Sequence, residues 1–139
     1  MAITDISRRS DDEIETLVSA TVYVCITCRR AGLPEGAPRE GPELAQATAA
    51  AAKGTGVIVR RIRCLANCNQ GLSAALRRDG AWTYIFGRLD PDKDADALIE
   101  GARMLARSAD GLLPWIGRPE ILKRGLIARV PPIDYPEEE

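Results

Sequence analysis

Thr21-Val22-Tyr23-Val24-Cys25-Ile26-Thr27-Cys28 is the stretch on which the fold turns. Its β-branched and aromatic residues predict a strand. That strand runs straight into a C-x2-C pair, Cys25 and Cys28. A second stretch repeats the arrangement. Val57-Ile58-Val59 through Arg63 predicts another strand, and it runs into the C-x3-C pair Cys64 and Cys68. Between them Gly41-Pro42 opens a helix to about Lys53, with proline at its first position and Gly54 after its end. The alanine-rich run from Ala45 to Ala52 suits that helix, because alanine has the best helix propensity. Strand, helix, strand makes a β-α-β unit, whose strands are parallel with a right-handed crossover.

Outward from this unit, Leu72 to Arg78 and Trp82 to Arg88 predict two more strands. Asp79-Gly80 between them is the dipeptide that a tight type I′ hairpin prefers. Asp90 then caps a helix with Pro91 at its first position. Ala95, Leu98, Ile99, Ala102, Leu105 and Ala106 give that helix one apolar face. Gly111 and Pro114 end it. The expected fold is α/β: a mixed four-stranded sheet, β-α-β then β-β-α, with flanking helices, the thioredoxin-like arrangement. Residues 1–113 form the domain, with a lead-in over 1–19 where Ser10-Asp11-Asp12-Glu13 fits a capping box. Gly32 to Pro38 reads as a loop. Residues 114–139 form a C-terminal extension packed on or trailing from the domain, its end from Val130 onward, with Pro131, Pro132, Pro136 and Glu137 to Glu139, expected to be extended or frayed. Trp82 and Tyr84 share one strand face and point to the core. Trp115-Ile116-Gly117-Arg118-Pro119 is expected to dock onto the sheet in preference to forming a partner-binding patch. Gly71 is expected to turn the chain tightly into the third strand.

Composition narrows the chemistry. The 139 residues contain no histidine. That excludes His-based acid–base catalysis, Ser-His-Asp and Cys-His pairs, and every imidazole zinc site. The formal net charge is −1 and aromatics are 4%, which gives no reason to expect nucleic-acid binding. No apolar run approaches the roughly 18–20 residues of a membrane span. Met1 to Asp12 carries acidic residues and no apolar core, unlike a secretory signal. The expectation is a cytoplasmic protein, with no membrane and no nucleic-acid partner.

The four cysteines therefore carry the special chemistry. Cys25 ends the first strand and Cys64 the second, and parallel strands present their carboxyl ends on one edge, where ligand sites of open α/β sheets collect. Neighbouring strands lie about 4.8 Å apart, so the two pairs can meet over one small volume. Four readings are open. Four thiolates suit a 2Fe–2S cluster. They also suit a mononuclear metal such as zinc, though the gap between the pairs is longer than in a zinc ribbon. Cys25-Ile26-Thr27-Cys28 after a strand resembles a dithiol redox motif, with Cys25 attacking and Cys28 resolving. Unliganded core thiols are the plainest case, and two close pairs at matching strand ends argue against it. Charge is unevenly spread. Residues 51–90 hold 7 basic and 2 acidic side chains, a balance of +5 in a chain of −1. Arg60, Arg61, Arg63, Arg77, Arg78 and Arg88 supply most of it, which suits an anionic centre or simply a solvated surface.

The run Cys64-Leu65-Ala66-Asn67-Cys68-Asn69-Gln70-Gly71, followed by Gly80-Ala81-Trp82-Thr83-Tyr84, resembles the thioredoxin-like 2Fe–2S ferredoxins. The whole chain is similar to a bacterial family of predicted metal-binding proteins of unknown function, through Cys25-Ile26-Thr27-Cys28-Arg29, the C-L-x-x-C segment, Trp82-Thr83-Tyr84-Ile85-Phe86-Gly87 and Ala128-Arg129-Val130-Pro131-Pro132. The resemblance covers roughly residues 20–132. It implies that Cys25, Cys28, Cys64 and Cys68 are all ligands of a 2Fe–2S cluster, in an electron carrier or redox sensor rather than an enzyme. A redox protein would be its partner, and dimers are common in that fold family. Members of the bacterial family often lie near cobalamin-biosynthesis genes, so a zinc- or cobalt-binding module or metallochaperone for that pathway is the alternative. In the ferredoxins the first two ligands stand about a dozen residues apart, whereas Cys25 and Cys28 are three apart.

Overall fold

The computed structural model describes residues 19–30, 34 and 36–138. The expected capping box at Ser10 to Glu13, and part of the loop after Gly32, lie outside the described residues. The elements in chain order are β1 (Thr21–Cys25), α1 (Gly41–Ala52), β2 (Ile58–Ile62), β3 (Ala74–Arg77), β4 (Thr83–Phe86), α2 (Ala95–Ala106), α3 (Ile121–Arg124) and β5 (Leu126–Val130). The sheet order is β2-β1-β3-β4-β5. β1 pairs parallel with β2, in the register Thr21 to Ile58 through Cys25 to Ile62. The β1–β3, β3–β4 and β4–β5 pairs are antiparallel. This is the mixed α/β, thioredoxin-like fold that the order of predicted elements gives.

α1 packs on β1, β2 and α2, while α2 packs on β3 and β1, so both long helices lie on one face of the sheet. α1 buries Leu44, Ala45, Thr48 and Ala52, a helical spacing. α2 buries Leu98, Ile99, Ala102 and Leu105. Val22, Val24, Leu72, Leu76, Phe86 and Leu89 complete the layer between sheet and helices, each without accessible surface. Each such side chain contributes about 1.5–3 kcal/mol on leaving water, as an upper estimate. Arg78, in the β3–β4 turn, donates from Nη1 to the carbonyls of Leu105 (3.0 Å) and Ser108 (2.8 Å). Its charge thus sits at the negative end of the α2 dipole. No helix among the described residues is long and apolar enough to cross a membrane.

The sheet has five strands, not four. β5 extends it beyond β4 and is half-buried only at Leu126, with Ile127 to Val130 exposed. Backbone pairing with β4 makes it a strand, and such an edge carries no alternation of apolar residues to announce it. α2 starts at Ala95, later than the expected cap at Asp90. The reason is local competition. Asp90 Oδ1 accepts from the Asp92 N–H (2.8 Å) and Asp94 Oδ2 from the Asp90 N–H (2.7 Å), so a turn precedes the helix. The β3–β4 turn closes from the Ala81 N–H to the Arg78 carbonyl at 3.1 Å. Positive φ occurs at Gly80 (+78°) and not at Asp79, so the turn is not type I′.

The aromatic residues divide in two. Tyr84 is buried and its hydroxyl accepts from the Leu113 N–H at 2.9 Å. Trp82 sits at the rim, edge-on to Tyr135 (5.1 Å between centroids) and under the Arg129 guanidinium (4.3 Å). Trp115 and Ile116 do not dock on the sheet; they are 61% and 90% exposed. Arg118 takes the inner position instead. Buried, it donates to the Leu113 and Pro114 carbonyls (2.6 and 3.0 Å) and lies over the Tyr84 ring at 5.7 Å.

Candidate functional site

β1 ends at Cys25, which pairs with Ile62, the last residue of β2. The carboxyl ends of these parallel strands therefore open on the same sheet edge, and Cys64 follows two residues beyond Ile62. α1 begins on this edge. A Cβ on Gly41 would stand 2.2 Å from the Cys25 carbonyl oxygen and 2.9 Å from Ile26 Cα, so only glycine lets the helix start so close to the strand end. The Gly41 N–H donates to the Cys28 carbonyl at 3.0 Å. The positive end of α1 thus lies against the first cysteine pair, a setting that favours thiolate.

Cys25 and Cys28 are buried, with their sulfurs 3.0 Å apart. Cys25 Sγ also contacts Thr27 Oγ1 (3.6 Å) and the Arg63 carbonyl (3.4 Å). The Thr27 hydroxyl donates to the same carbonyl. Burial pushes the Cys25 thiol up, but hydrogen bonds from Cys28, from Thr27 and from the Leu65 backbone outweigh it and leave the thiol below its ordinary value. Burial, together with the hydrogen bond and charge of Cys25, pushes Cys28 up to about 12, against smaller opposing contributions from the Ser73 hydroxyl and backbone N–H. The two thiols thus differ in acidity, Cys25 lowered and Cys28 raised.

Cys64 and Cys68 are exposed, their sulfurs 4.0 Å apart. The Ala66 N–H donates to Cys64 Sγ at 3.1 Å, an inward tilt that comes with positive φ (+59°) at Ala66. A short 3-10 turn, Cys68–Gln70, closes the loop. A shallow depression of about 260 Å³, lined by Ala66 to Gln70, opens beside Cys68. Cys68 is raised above an ordinary thiol, first by its hydrogen bond with Cys64, then by the charge on Cys64, with a smaller share from the charge on Cys25. The structure brings Cys25 to Cys28 and Cys64 to Cys68. Among the described residues, no three His, Cys, Asp or Glu side chains are gathered closely enough to hold a metal ion.

Two residues support the cysteines, and one of them, Ser73, escapes the sequence reading. Ser73 is fully buried, and its carbonyl accepts the Cys25 N–H at 3.1 Å. Its hydroxyl accepts from Asn67 Nδ2 at 3.0 Å. From sequence Asn67 reads equally as a donor to a thiolate or sulfide or as a turn residue, and Ser73 as part of an apolar strand. A hydroxyl inside the run Leu72 to Leu76 is the one signal that marks it. Gly71 serves close approach rather than positive φ. A Cβ there would stand 2.5 Å from the Arg29 carbonyl oxygen and 3.4 Å from Cys28 Cβ.

A mixed sheet with its helices on one face and thiol pairs at the carboxyl ends of parallel strands defines a thioredoxin-like protein of the ferredoxin type in fold. A thioredoxin-like 2Fe–2S ferredoxin from Aquifex aeolicus superposes with a TM-score of 0.53 at 22% identity, over 84% of this chain and 97% of that one. A second structure of the wild-type ferredoxin gives 0.51 at 22% identity, over 78% and 96%. A variant of it with one cysteine changed to serine gives 0.51 at 20% identity, over 78% and 98%. The chain belongs to the family described as protein of unknown function DUF1636, whose model matches residues 22–132. No curated protein matches it.

Proposed function

We propose that the protein holds a 2Fe–2S cluster through the thiolates of Cys25, Cys28, Cys64 and Cys68 and serves as a one-electron carrier or redox sensor. The observation that carries this reading is the contact of Cys25 Sγ with the Arg63 carbonyl at 3.4 Å. It seats the first cysteine pair against the residue immediately before Cys64. The donor set fits in kind and number, since a 2Fe–2S centre takes four thiolates and this chain has four thiols and no histidine. One pair fits in spacing as well. Two thiolates on one tetrahedral ion stand about 3.8 Å apart, against 4.0 Å for Cys64 and Cys68. The likeness to the ferredoxins supports the same assignment, and two structures of that protein are serine variants of cysteines four positions apart, the separation of Cys64 and Cys68.

Bound there, the group supplies a one-electron couple. The chain's own part is to set its potential. The Ala66, Leu65 and Ser73 N–H groups and the Ser73 hydroxyl aim hydrogen bonds at the sulfurs. Such bonds stabilise the more negative, reduced form and raise the potential.

The 3.0 Å contact and opposite acidity shifts of Cys25 and Cys28 favour a second reading, a dithiol oxidoreductase. Anaerobic purification with visible spectroscopy and iron, sulfide and zinc analysis separates them. The expected result is brown protein with about two irons and two sulfides per chain. Colourless protein with one zinc overturns it in favour of a mononuclear metal module, and metal-free protein with a reducible disulfide in favour of dithiol chemistry.

A further inference from the structure

We infer that the exposed cysteine loop is the docking point for the acidic face of a protein electron-transfer partner, received by a rim of unpaired arginines. The inference rests on the reading above and adds the kind of partner. Arg61 projects from β2, an edge strand of the sheet among the described residues, and is exposed, while exposed Arg60 points to the opposite face. Arg63 directly precedes Cys64 and is exposed, with only its carbonyl engaged by the first cysteine pair. Arg88 is exposed and donates its backbone N–H to the Gln70 carbonyl at 2.6 Å, which sets it against the turn that follows Cys68. Among the described residues none of these four side chains has an ion-pair partner. Arg30 shows the contrast, held by Glu40 at 2.7 Å and Asp90 at 3.6 Å.

The sequence around the loop carries no acid to neutralise the rim. Residues 54 to 78 contain five arginines and neither Asp nor Glu. Exposed like charges repel and are kept together at a cost, and a cluster around a reactive loop raises encounter rates with anions by about 10- to 1,000-fold. The charge outside residues 51–90 sums to −6, from −1 overall and +5 within. Nucleic acid carries no one-electron centre to exchange with the site proposed above, whereas an electron-transfer protein does. In the encounter one electron passes between the two proteins' centres. No bond forms, and the partner's one-electron centre gains what this protein's centre loses.

The test compares probes of different charge on the protein as isolated. If it carries the cluster chromophore, the dithionite-reduced protein is reoxidised by anionic ferricyanide or by cationic tris(phenanthroline)cobalt(III). If it is colourless, its exposed thiols are titrated with anionic dithiobis(nitrobenzoate) or neutral dithiodipyridine. The expected result in either form is an anionic-probe rate that drops about tenfold relative to the other probe between low salt and about 0.5 M salt. The triple variant Arg61→Gln, Arg63→Gln, Arg88→Gln should lose that advantage, and poly-glutamate should slow the anionic probe by competition. Equal salt dependence for both probes, or an unchanged triple variant, overturns the rim. A short DNA duplex that competes better than poly-glutamate at equal charge overturns the protein partner. Metal and sulfide analysis decides the cofactor separately, so failure of one reading is not failure of the other.

Discussion

The Asn67 side-chain amide donates to the Ser73 hydroxyl at 3.0 Å, and this bond joins the two halves of the site. Asn67 stands between Cys64 and Cys68. Ser73 supports the other pair, through its carbonyl on the Cys25 N–H and its hydroxyl and N–H on the Cys28 sulfur. One buried hydroxyl therefore couples the exposed loop to the buried thiols. Replacing it leaves polar groups without a partner, which costs about 1–3 kcal/mol. Ser73→Ala should lower stability by that amount in urea unfolding, and its visible absorption per chain should fall. An unchanged unfolding midpoint would remove Ser73 from this role.

Gly41→Ala sets two effects against each other. Alanine improves a helix by up to about 1 kcal/mol over glycine. Here the new Cβ would meet the Cys25 carbonyl oxygen at 2.2 Å, and overpacking of that kind costs about 1–3 kcal/mol. The steric effect is the larger, so the variant should be less stable than the parent. A gain in melting temperature would show that α1 can slide away from the strand end.

Cys64→Ser tests a single ligand. Ligand binding and folding are coupled in metal proteins. Iron per chain should fall to background, with a lower melting temperature in the same preparation. Metal content equal to the parent would falsify its assignment.

Burial sorts the four thiols by access. In metal-free protein, brief iodoacetamide treatment under native conditions should label Cys64 and Cys68 first, as they are exposed, and Cys25 and Cys28 only after denaturation. Peptide mass mapping reads the order. Early labelling of Cys28 would contradict its 3% exposure.

Acid should weaken the fold in a defined sense. The Arg30 hydrogen bond holds Glu40 below the ordinary carboxylate range, and the Leu112 N–H and Ser108 hydroxyl do the same for Asp110. The unfolded chain binds both protons more readily, so their stabilisation is present above the ordinary carboxylate pKa and is lost as pH falls through the lowered folded values. Asp110 is exposed and Glu40 half-buried against exposed Arg30, so the effect is small and weakens with salt. The urea midpoint should be level near neutrality and decline below the carboxylate range. Arg30→Ala should remove the Glu40 share alone. A midpoint that rises on acidification would reverse the sign of this argument.

The parts legible in sequence are those with their own local chemistry. β1 and β2 show as β-branched runs ending in cysteine, and α1 is bracketed by Gly41-Pro42 and Gly54. β5 was not legible because its partner is a backbone edge and most of its side chains face water. The start of α2 was misplaced because Asp90 and Asp94 spend their carboxylates on a preceding turn. At the site, sequence places each cysteine pair after a strand but marks Ser73 only as a hydroxyl inside an apolar run. A serine in a strand looks the same whether it faces water or a sulfur. Trp115 misled because a large ring suggests burial, whereas Arg118 fills that space and leaves the ring outside under Lys123 at 4.9 Å.

β5 closes the outer row of β4 over Thr83 to Phe86. Pro131 and Pro132 come directly after it, and neither has an N–H to carry the ladder further. A protease cut at Gly125 would strip that cover and bare the amides and carbonyls of a row that includes Tyr84 and Phe86. Such a clipped chain would recruit extended peptides, its own siblings among them, and the first visible sign of damage would be turbidity.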